Sequence, residues 1–134
     1  MAHLDEFLSF QDLAVLVGSR AEQVSAQLTE IGLKSPYKSC VPRQVVRAYL
    51  QYKGFKVPQK TVSFQMLKGG VAKTTSALNF GWRAAMYGAR VLMVDLDQQA
   101  NLTFSLGVDA ENLPVWVDLV EKKVTPGEAV VSVG

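Results

Sequence analysis

The chain has 134 residues, of which 49% are hydrophobic, and a formal net charge of +2. Its single cysteine, Cys40, excludes an intrachain disulfide, and with His3 as the one histidine there are too few ligands for a metal site built on Cys and His. No apolar run approaches the roughly 20 residues of a membrane span, and the first residues do not resemble a secretion signal. Composition therefore predicts a cytoplasmic globular protein without a membrane partner.

The first two predicted elements are short helices joined by a glycine turn. Apolar spacing predicts one helix from about Phe10 to Gly18 and a second over Arg20–Ile31, which ends at Gly32. The segment Ser19–Glu22 fits a capping box. Two helices at this spacing are typical of a helix-turn-helix. The second helix would present outward the side chains able to contact DNA bases or phosphates, which are Arg20, Gln23, Ser25 and Gln27.

A third helix is predicted to begin near Pro42 and to carry Arg43 and Arg47 outside its apolar face. Residues 1–60 hold eight Lys and Arg against five Asp and Glu, whereas residues 61–134 hold six against seven. A net charge of +3 against −1 favours DNA contact by the first segment. The alternative is a small helical dimerisation or docking domain whose basic residues are merely solvated.

A glycine loop flanked by lysines follows the apolar run 61–67, which predicts a β-strand. The two glycines allow successive main-chain N–H groups to point at phosphate oxygens, and the predicted helix after the loop directs its positive end at the same place. The alternative is a glycine turn with lysines nearby by chance. The residues predicted to bind a nucleotide are Lys68, Gly69, Gly70, Val71, Ala72, Lys73, Thr74 and Thr75.

Individual positions in this loop have distinct predicted roles. Lys73 supplies a positive charge to the phosphates, and the Thr74 hydroxyl can complete the oxygen shell of Mg²⁺. Ala72 stands where the general phosphate-loop pattern has glycine. Because a positive φ costs alanine about 1–2 kcal/mol, we expect a negative φ at Ala72.

A helix over Thr74–Tyr87, ended by Gly88, leads to a second predicted strand over Arg90–Val94. Strand, helix and strand predict a right-handed βαβ unit with parallel strands. Asp95 and Asp97 follow at the carboxyl end of the second strand, where open α/β sheets bind ligands. Asp97 can orient or deprotonate a water for attack on the γ-phosphate, or hold a magnesium-bound water. Asp95 can bond the loop or the metal shell; alternatively, the two carboxylates only cap the strand end.

With these motifs in place, the sequence resembles the ParA family of deviant Walker-A ATPases, which includes MinD-like proteins. The resemblance covers roughly residues 60–130, and its matching stretches are Lys68–Thr75, Gly88–Leu92 and Val94–Thr103. Ala72 and Gln98 depart from the family pattern, which usually has glycine and proline there. Neither departure removes a functional group.

The resemblance implies a role for each matching residue. Lys68 would reach across a nucleotide-sandwich homodimer to the partner's phosphates, and Lys73 would hold the β- and γ-phosphates of its own ATP. Thr74 would ligate Mg²⁺ and Thr75 would contact the α-phosphate. Asp97 would position the hydrolytic water. The implied activity is slow ATP hydrolysis, stimulated by a ParB-like protein, that switches a dimer on DNA during plasmid or chromosome partition.

We therefore expect an α/β protein with a small helical helix-turn-helix domain over residues 1–58 and an incomplete P-loop NTPase βαβ unit over residues 59–134. Only short helices are predicted after Asn101, without a third parallel strand. We interpret the chain as an N-terminal piece of a longer ATPase or a truncated product, inactive alone. Two alternatives stay open: a DNA-binding transcriptional regulator with an inactive ATPase remnant, and a MinD-like positioning ATPase, which the N-terminal domain argues against.

Overall fold

A computed structural model describes residues 7–57, 59–111 and 113–133. The chain divides into two compact units. The first, here called the N-terminal body, comprises the described residues up to 63 together with residues 80–92. The second, here called the loop unit, comprises residues 64–79 and the described residues from 93 onward.

The N-terminal body contains three helices and a two-stranded antiparallel sheet in which Leu8 lies opposite Val41. The sheet joins a strand that precedes the first helix to a strand that precedes the third. Its elements in chain order are β1 (Phe7–Ser9), α1 (Phe10–Val17), α2 (Ala21–Glu30), β2 (Cys40–Pro42) and α3 (Arg43–Tyr52).

Local capping defines both ends of α1. The Ser9 hydroxyl accepts a hydrogen bond from the Asp12 amide at 3.0 Å, which satisfies one of the free donors of the first turn. Gly18 ends the helix with a φ of +64°, a left-handed conformation that glycine adopts without steric cost. The predicted first helix and its glycine end are confirmed.

The predicted capping box at Ser19 and Glu22 is wrong by one residue. Arg20 is the N-cap of α2, so Gln23 takes the third helical position. The Gln23 Oε1 accepts from the Arg20 amide at 3.2 Å and from the Ser19 hydroxyl at 3.0 Å. A glutamine amide oxygen can accept from the same donors as a glutamate carboxylate. Gln23 therefore fills the capping role that was predicted for Glu22.

The core of the N-terminal body is formed by buried side chains from both strands and all three of these helices. Tyr49 is the largest, and its hydroxyl donates to Gln27 Oε1 at 2.6 Å. Burial, with a smaller contribution from nearby Tyr52, raises the pKa of Tyr49 above its ordinary value of 10.0. The buried members of the core are Leu8, Leu13, Ala14, Val24, Leu28, Val41, Val46, Tyr49 and Leu50.

Helix α4 (Lys73–Met86) follows the lysine loop, and its C-terminal half belongs to the N-terminal body. Gly88 lies just after this helix, is buried and has a φ of +82°. A Cβ at Gly88 would lie 3.0 Å from the Arg47 Cα, a tight contact, so both this close approach of two backbones and the positive φ favour glycine. Tyr87 packs against the core described above.

The predicted pair of parallel strands is not confirmed. Neither residues 61–67 nor residues 90–94 form a strand, and the β-pairing among the described residues is that of β1 with β2. Phe64, Met66 and Val94 are exposed instead. A parallel sheet is stable when helices cover both faces, and two strands alone bury too little surface to be stable. The fold is mixed α/β, with its sheet in a different place from the predicted one.

The loop unit continues with three short helices, α5 (Asn101–Ser105), α6 (Trp116–Val120) and α7 (Pro126–Ala129). Among the described residues of the loop unit, Leu102 is the one hydrophobic side chain that is buried. Across the described part of the chain, no helix combines the length and the apolar character required to span a bilayer.

Candidate nucleotide-binding site

The lysine loop turns sharply into α4 through two left-handed residues, Gly70 with a φ of +70° and Ala72 with a φ of +59°. Our expectation of a negative φ at Ala72 is therefore wrong. The Ala72 carbonyl accepts from the Ser76 amide at 2.8 Å, the first hydrogen bond of the helix. The left-handed turn brings the loop into helical register, and alanine tolerates it at a cost of about 1–2 kcal/mol. This cost explains why glycine suits the position before the lysine.

Such a turn is suited to an anion. Left-handed residues within a tight turn make main-chain N–H groups converge in a concave nest. The amides of the first turn of α4 have no carbonyl partner within the helix, and the helix dipole adds partial positive charge at this end. A Cβ placed on Gly69 or Gly70 would meet nothing within 4 Å, so the space above the loop is open.

The two predicted lysines meet at the loop. The Lys73 Nζ donates to the Lys68 carbonyl oxygen at 3.3 Å, so this ammonium group folds back over the loop. The Lys68 side chain is exposed. The structure thus brings Lys68 and Lys73 together through one main-chain oxygen and leaves the Lys68 ammonium directed to no acceptor among the described residues.

Thr74 and Thr75 occupy the first turn of α4 directly after Lys73. Thr74 is half-buried and Thr75 is exposed, and the Thr75 carbonyl accepts from Asn79 Nδ2 at 2.8 Å. Both hydroxyls therefore lie at the end of the helix that carries the positive partial charge.

Asp95 connects the segment that follows α4 to α5 by hydrogen bonds. Its Oδ2 accepts from the Thr103 amide at 3.0 Å and from the Thr103 hydroxyl at 2.9 Å. Its Oδ1 accepts from the Asp97 amide at 3.2 Å. Of the two roles predicted for Asp95, the structure shows bonding within the protein. Thr103 was missed because a partner eight residues away carries no local sequence signal.

Asp97 lies in an exposed turn. Its Oδ1 accepts from the Gln99 amide at 3.0 Å, and its carbonyl accepts from the Ala100 amide at 2.9 Å. Within the described ranges these bonds stay inside the turn, so the structure does not bring Asp97 into hydrogen-bonding contact with Lys68 or Lys73.

The residue types nevertheless fit Mg²⁺. Thr74 and Asp97 offer one hydroxyl and one carboxylate, and Mg²⁺ prefers oxygen ligands supplied by few protein groups together with phosphates and waters. The described residues contain no group of three or more His, Cys, Asp or Glu side chains that could hold a metal ion by themselves. The assignment of Thr74 and Asp97 as metal ligands stays a prediction.

The four residues predicted to contact DNA differ in availability. Arg20 and Ser25 are exposed. Gln23 uses its amide oxygen to cap α2, and Gln27 uses its own to accept from Tyr49 and, at 3.5 Å, from Lys53 Nζ. Within the part of the chain that the structure describes, no contact of either glutamine's amide NH₂ group competes with an external acceptor. Their role in DNA binding stays a prediction.

Comparison with known proteins gives the family. Residues 59–131 match the AAA domain family, which is more than half of the chain. The chain belongs to this family. The match begins after α3, so α1, α2 and α3 lie outside it.

Similar proteins include a ParA family protein, a chromosome-partitioning ATPase and a carboxysome distribution protein. A ParA family protein of Chlamydia trachomatis is 49% identical over 53 residues, which are 39% of this chain and 21% of that protein. The chromosome-partitioning ATPase Soj of Thermus thermophilus is 59% identical over 44 residues, which are 33% of this chain and 18% of that protein. The maintenance of carboxysome distribution protein A of Gloeothece citriformis is 40% identical over 74 residues, which are 54% of this chain and 28% of that protein.

The chain spans between 18% and 28% of the length of these curated relatives. No solved structure matches it. The AAA domain match and the ParA and Soj relatives agree with the resemblance drawn from the lysine loop.

Proposed function

We propose that this chain binds ATP and Mg²⁺ through its lysine loop, as part of a ParA-type partition protein that hydrolyses ATP slowly. The observation that carries the proposal is the geometry of the loop. Two left-handed residues lead directly into α4, and the Lys73 ammonium lies folded over the loop. A phosphate chain is the ligand that this combination of amides, helix end and ammonium group recognises best.

The chemistry follows from the groups present. Among the described residues, the Lys73 ammonium is held only by the neutral Lys68 carbonyl, and a phosphate oxygen is a stronger acceptor because it carries charge. Lys73 then contacts the β- and γ-phosphates, Thr74 ligates Mg²⁺ and Thr75 contacts the α-phosphate. Bound Mg²⁺ supplies neutralisation of the charge that develops on the phosphates. Asp97, which lies exposed in its turn, positions the attacking water.

A second copy of the chain completes the proposed site. Lys68 is exposed and its ammonium is uncommitted among the described residues, as expected for a residue that reaches a neighbouring nucleotide. The proposed partners are accordingly ATP, a second protomer in a nucleotide-dependent homodimer, DNA, and a ParB-like protein that stimulates hydrolysis.

For DNA, we propose that the N-terminal body binds through α2 as a helix-turn-helix. Helices α1 and α2 are joined by a three-residue turn, and Arg20, the N-cap of α2, and Ser25 within it are both exposed. The net charge of +3 over residues 1–60 supports the same assignment.

A DNA-binding regulator with an inactive ATPase remnant is the second candidate. Its support is the distribution of packing: among the described residues, every buried hydrophobic side chain except Leu102 lies in the N-terminal body. In this case the body alone carries the function.

Nucleotide binding separates the two candidates. The measurement is the affinity of the 134-residue chain for a fluorescent non-hydrolysable ATP analogue with Mg²⁺. Loss of a charge-assisted contact worth about 1.5–3 kcal/mol should weaken binding by Lys73→Ala at least tenfold. Lys60→Ala removes the same charge from an exposed position before the loop and should bind normally. Equal affinity of wild type and Lys73→Ala, or equal ATP turnover, would contradict the partition-ATPase proposal.

Binding to a fluorescent mixed-sequence DNA duplex across salt concentrations tests the second helix. Arg20→Ala should weaken binding and lower the salt slope by about 1, because one phosphate contact is lost. Arg90→Ala, an exposed arginine outside α2, is the charge-matched control. An unchanged slope for Arg20→Ala would count against DNA recognition by α2.

A further inference from the structure

Within the N-terminal body, the turn that follows α4 contacts α3 at a point where a side chain and two backbones meet. The Arg47 Nε, on α3, donates to the Gly88 carbonyl oxygen at 2.8 Å. At the same point the absence of a Cβ on Gly88 lets the turn after α4 approach the α3 backbone, since a Cβ would lie 3.0 Å from the Arg47 Cα and 3.1 Å from its amide nitrogen. These distances are tighter than ordinary Cβ contacts, so any other residue would require the Arg47 backbone to shift by a few tenths of an ångström, and the φ of +82° at Gly88 adds strain for a side chain.

Two weaker contacts act on the C-terminal half of α4. Arg83 Nη2 lies 3.8 Å from the Asp12 Oδ2 on α1. The Arg83 guanidinium also lies over the Tyr87 ring, 4.9 Å from its centroid, and donates to the Tyr87 hydroxyl at 3.1 Å. Since Tyr87 packs against the buried core of the N-terminal body, these contacts link α4 to both α1 and the core.

The opposite end of the same helix carries the lysine loop. Helix α4 is one uninterrupted helix from Lys73 to Met86. Its first residue is the proposed phosphate-binding lysine, and Gly88 lies two residues beyond its last. A helix is stiff along its axis, so a ligand that orders its first turn also limits fraying and displacement farther along.

We propose that Arg47 is a positioning residue that couples nucleotide binding at the start of α4 to the stability of α3 in the N-terminal body. The proposal rests on the nucleotide site proposed above. In the bound protein α4 is held at both ends, and opening of α3 must break the Arg47–Gly88 contact against an ordered helix. Thermodynamic linkage makes two factors equal: the factor by which nucleotide stabilises α3 through this contact, and the factor by which loss of the contact lowers the affinity for nucleotide.

The test is amide hydrogen exchange of the full chain with and without the non-hydrolysable ATP analogue and Mg²⁺, with nucleotide affinity measured on the same samples. At a nucleotide concentration about 100 times Kd, linkage should slow exchange in α3 between about 10- and 100-fold in the wild type. Arg47→Lys keeps the charge but removes the Nε donor, and should reduce this slowing to less than about threefold. Lys56→Ala, an exposed lysine in the same body, should retain the wild-type slowing.

The outcomes separate this proposal from the one on which it rests. If the wild type does not bind the analogue, the proposed function fails and the coupling fails with it. If the wild type binds but exchange in α3 is unchanged, or slows equally in Arg47→Lys, the nucleotide site stands and the coupling is overturned. If Arg47→Lys is unfolded at the assay temperature, Arg83→Gln replaces it. Nucleotide should then slow amide exchange in α3 less than it does in the wild type. Slowing equal to that of the wild type would contradict the proposal.

Discussion

The two units of this chain differ in what holds them together. The N-terminal body has a contiguous core whose buried members include Leu13, Val24 and Val46, each with no exposed surface. In the loop unit, Leu67, Leu96 and Val120 are exposed, and the order comes from short helices and from hydrogen bonds such as those that Asp95 and Asp97 accept. Yet the family match covers the loop unit and leaves α1, α2 and α3 outside. The loop unit, which contains the motif recognised from the sequence, thus buries fewer hydrophobic side chains than the N-terminal body does.

This difference follows from what each kind of order requires. A phosphate loop needs a few residues in fixed order, because main-chain amides and one helix end do the binding. A hydrophobic core needs complementary side chains from several elements. A motif can therefore be recognised in a segment whose apolar residues are exposed, whereas the way the helices of the N-terminal body pack together is seen only in three dimensions.

The largest expected effect tests whether packing is confined to the N-terminal body. Leu13→Ala should lower the free energy of unfolding by about 2–5 kcal/mol, because it removes a fully buried side chain. Leu67→Ala removes the same group from an exposed position and should change it by less than about 0.5 kcal/mol. Urea unfolding followed by the fluorescence of Trp82, in a Trp116→Phe background, reports on the body. A comparable loss for Leu67→Ala would show that the loop unit also has a core.

Backbone strain in the loop unit provides the next test. Ala72→Pro forces a negative φ, which conflicts with the observed +59°. We expect the affinity for the ATP analogue to fall at least about fivefold, since an incompatible proline costs more than about 1 kcal/mol. Ala72→Gly removes the strain and should bind at least as tightly as the wild type.

Tolerance of Ala72→Pro would have a clear meaning. Proline is accepted around the first turn of a helix when φ is negative. Unchanged nucleotide affinity would therefore show that the left-handed turn before Lys73 is not required for binding. This test separates a loop recognised by residue order from one that works through its backbone conformation.

These comparisons show which features the sequence can predict. Helices α1, α2, α3 and α4 follow from apolar spacing, and the glycines that end α1 and α4 follow from local backbone preference. The strands β1 and β2 were missed because each has three residues, too few for a period of two to appear. The lysine loop was found because its chemistry is local.

Features that depend on distant residues could not be predicted. Gly88 reads in the sequence only as a helix stop, and nothing local indicates that it contacts Arg47 across 41 positions. The expected parallel strands failed for the opposite reason: their apolar residues indicate a buried sheet, but the described chain supplies nothing to cover it. Similarly, the strain at Ala72 depends on how the loop enters α4.

The hydrogen bond of Tyr49 within the core is expected to make a smaller contribution to the stability of the N-terminal body. Tyr49→Phe removes the hydroxyl that donates to Gln27 and should cost about 0.5–1.5 kcal/mol at pH 7. The pH dependence has a defined sign. Because burial raises the pKa of Tyr49, the unfolded chain loses this proton first, and stability present below pH 10.0 is lost as pH rises above it.

Urea midpoints at neutral pH and above pH 10 measure this dependence. The wild type should lose more stability than Tyr49→Phe across the interval. Tyr52→Phe changes an exposed tyrosine on the same helix and should retain most of the wild-type loss. An equal alkaline loss in Tyr49→Phe would show that another group is responsible.

The smallest effect concerns the ion pair between Asp12 and Arg83, which links α1 to α4. The charged atoms are 3.8 Å apart and both side chains are about half exposed, so the pair should contribute about 0.2–1 kcal/mol. Asp12→Asn alone overstates this value, because Asp12 also lies in the first turn of α1 and favours the helix dipole. A double-mutant cycle with Arg83→Gln isolates the pair. The coupling should vanish near 1 M salt, where the screening length falls to about 3 Å. A coupling that persists there would mean that Arg83 acts on the N-terminal body chiefly through its contact with the Tyr87 ring, which salt screens less.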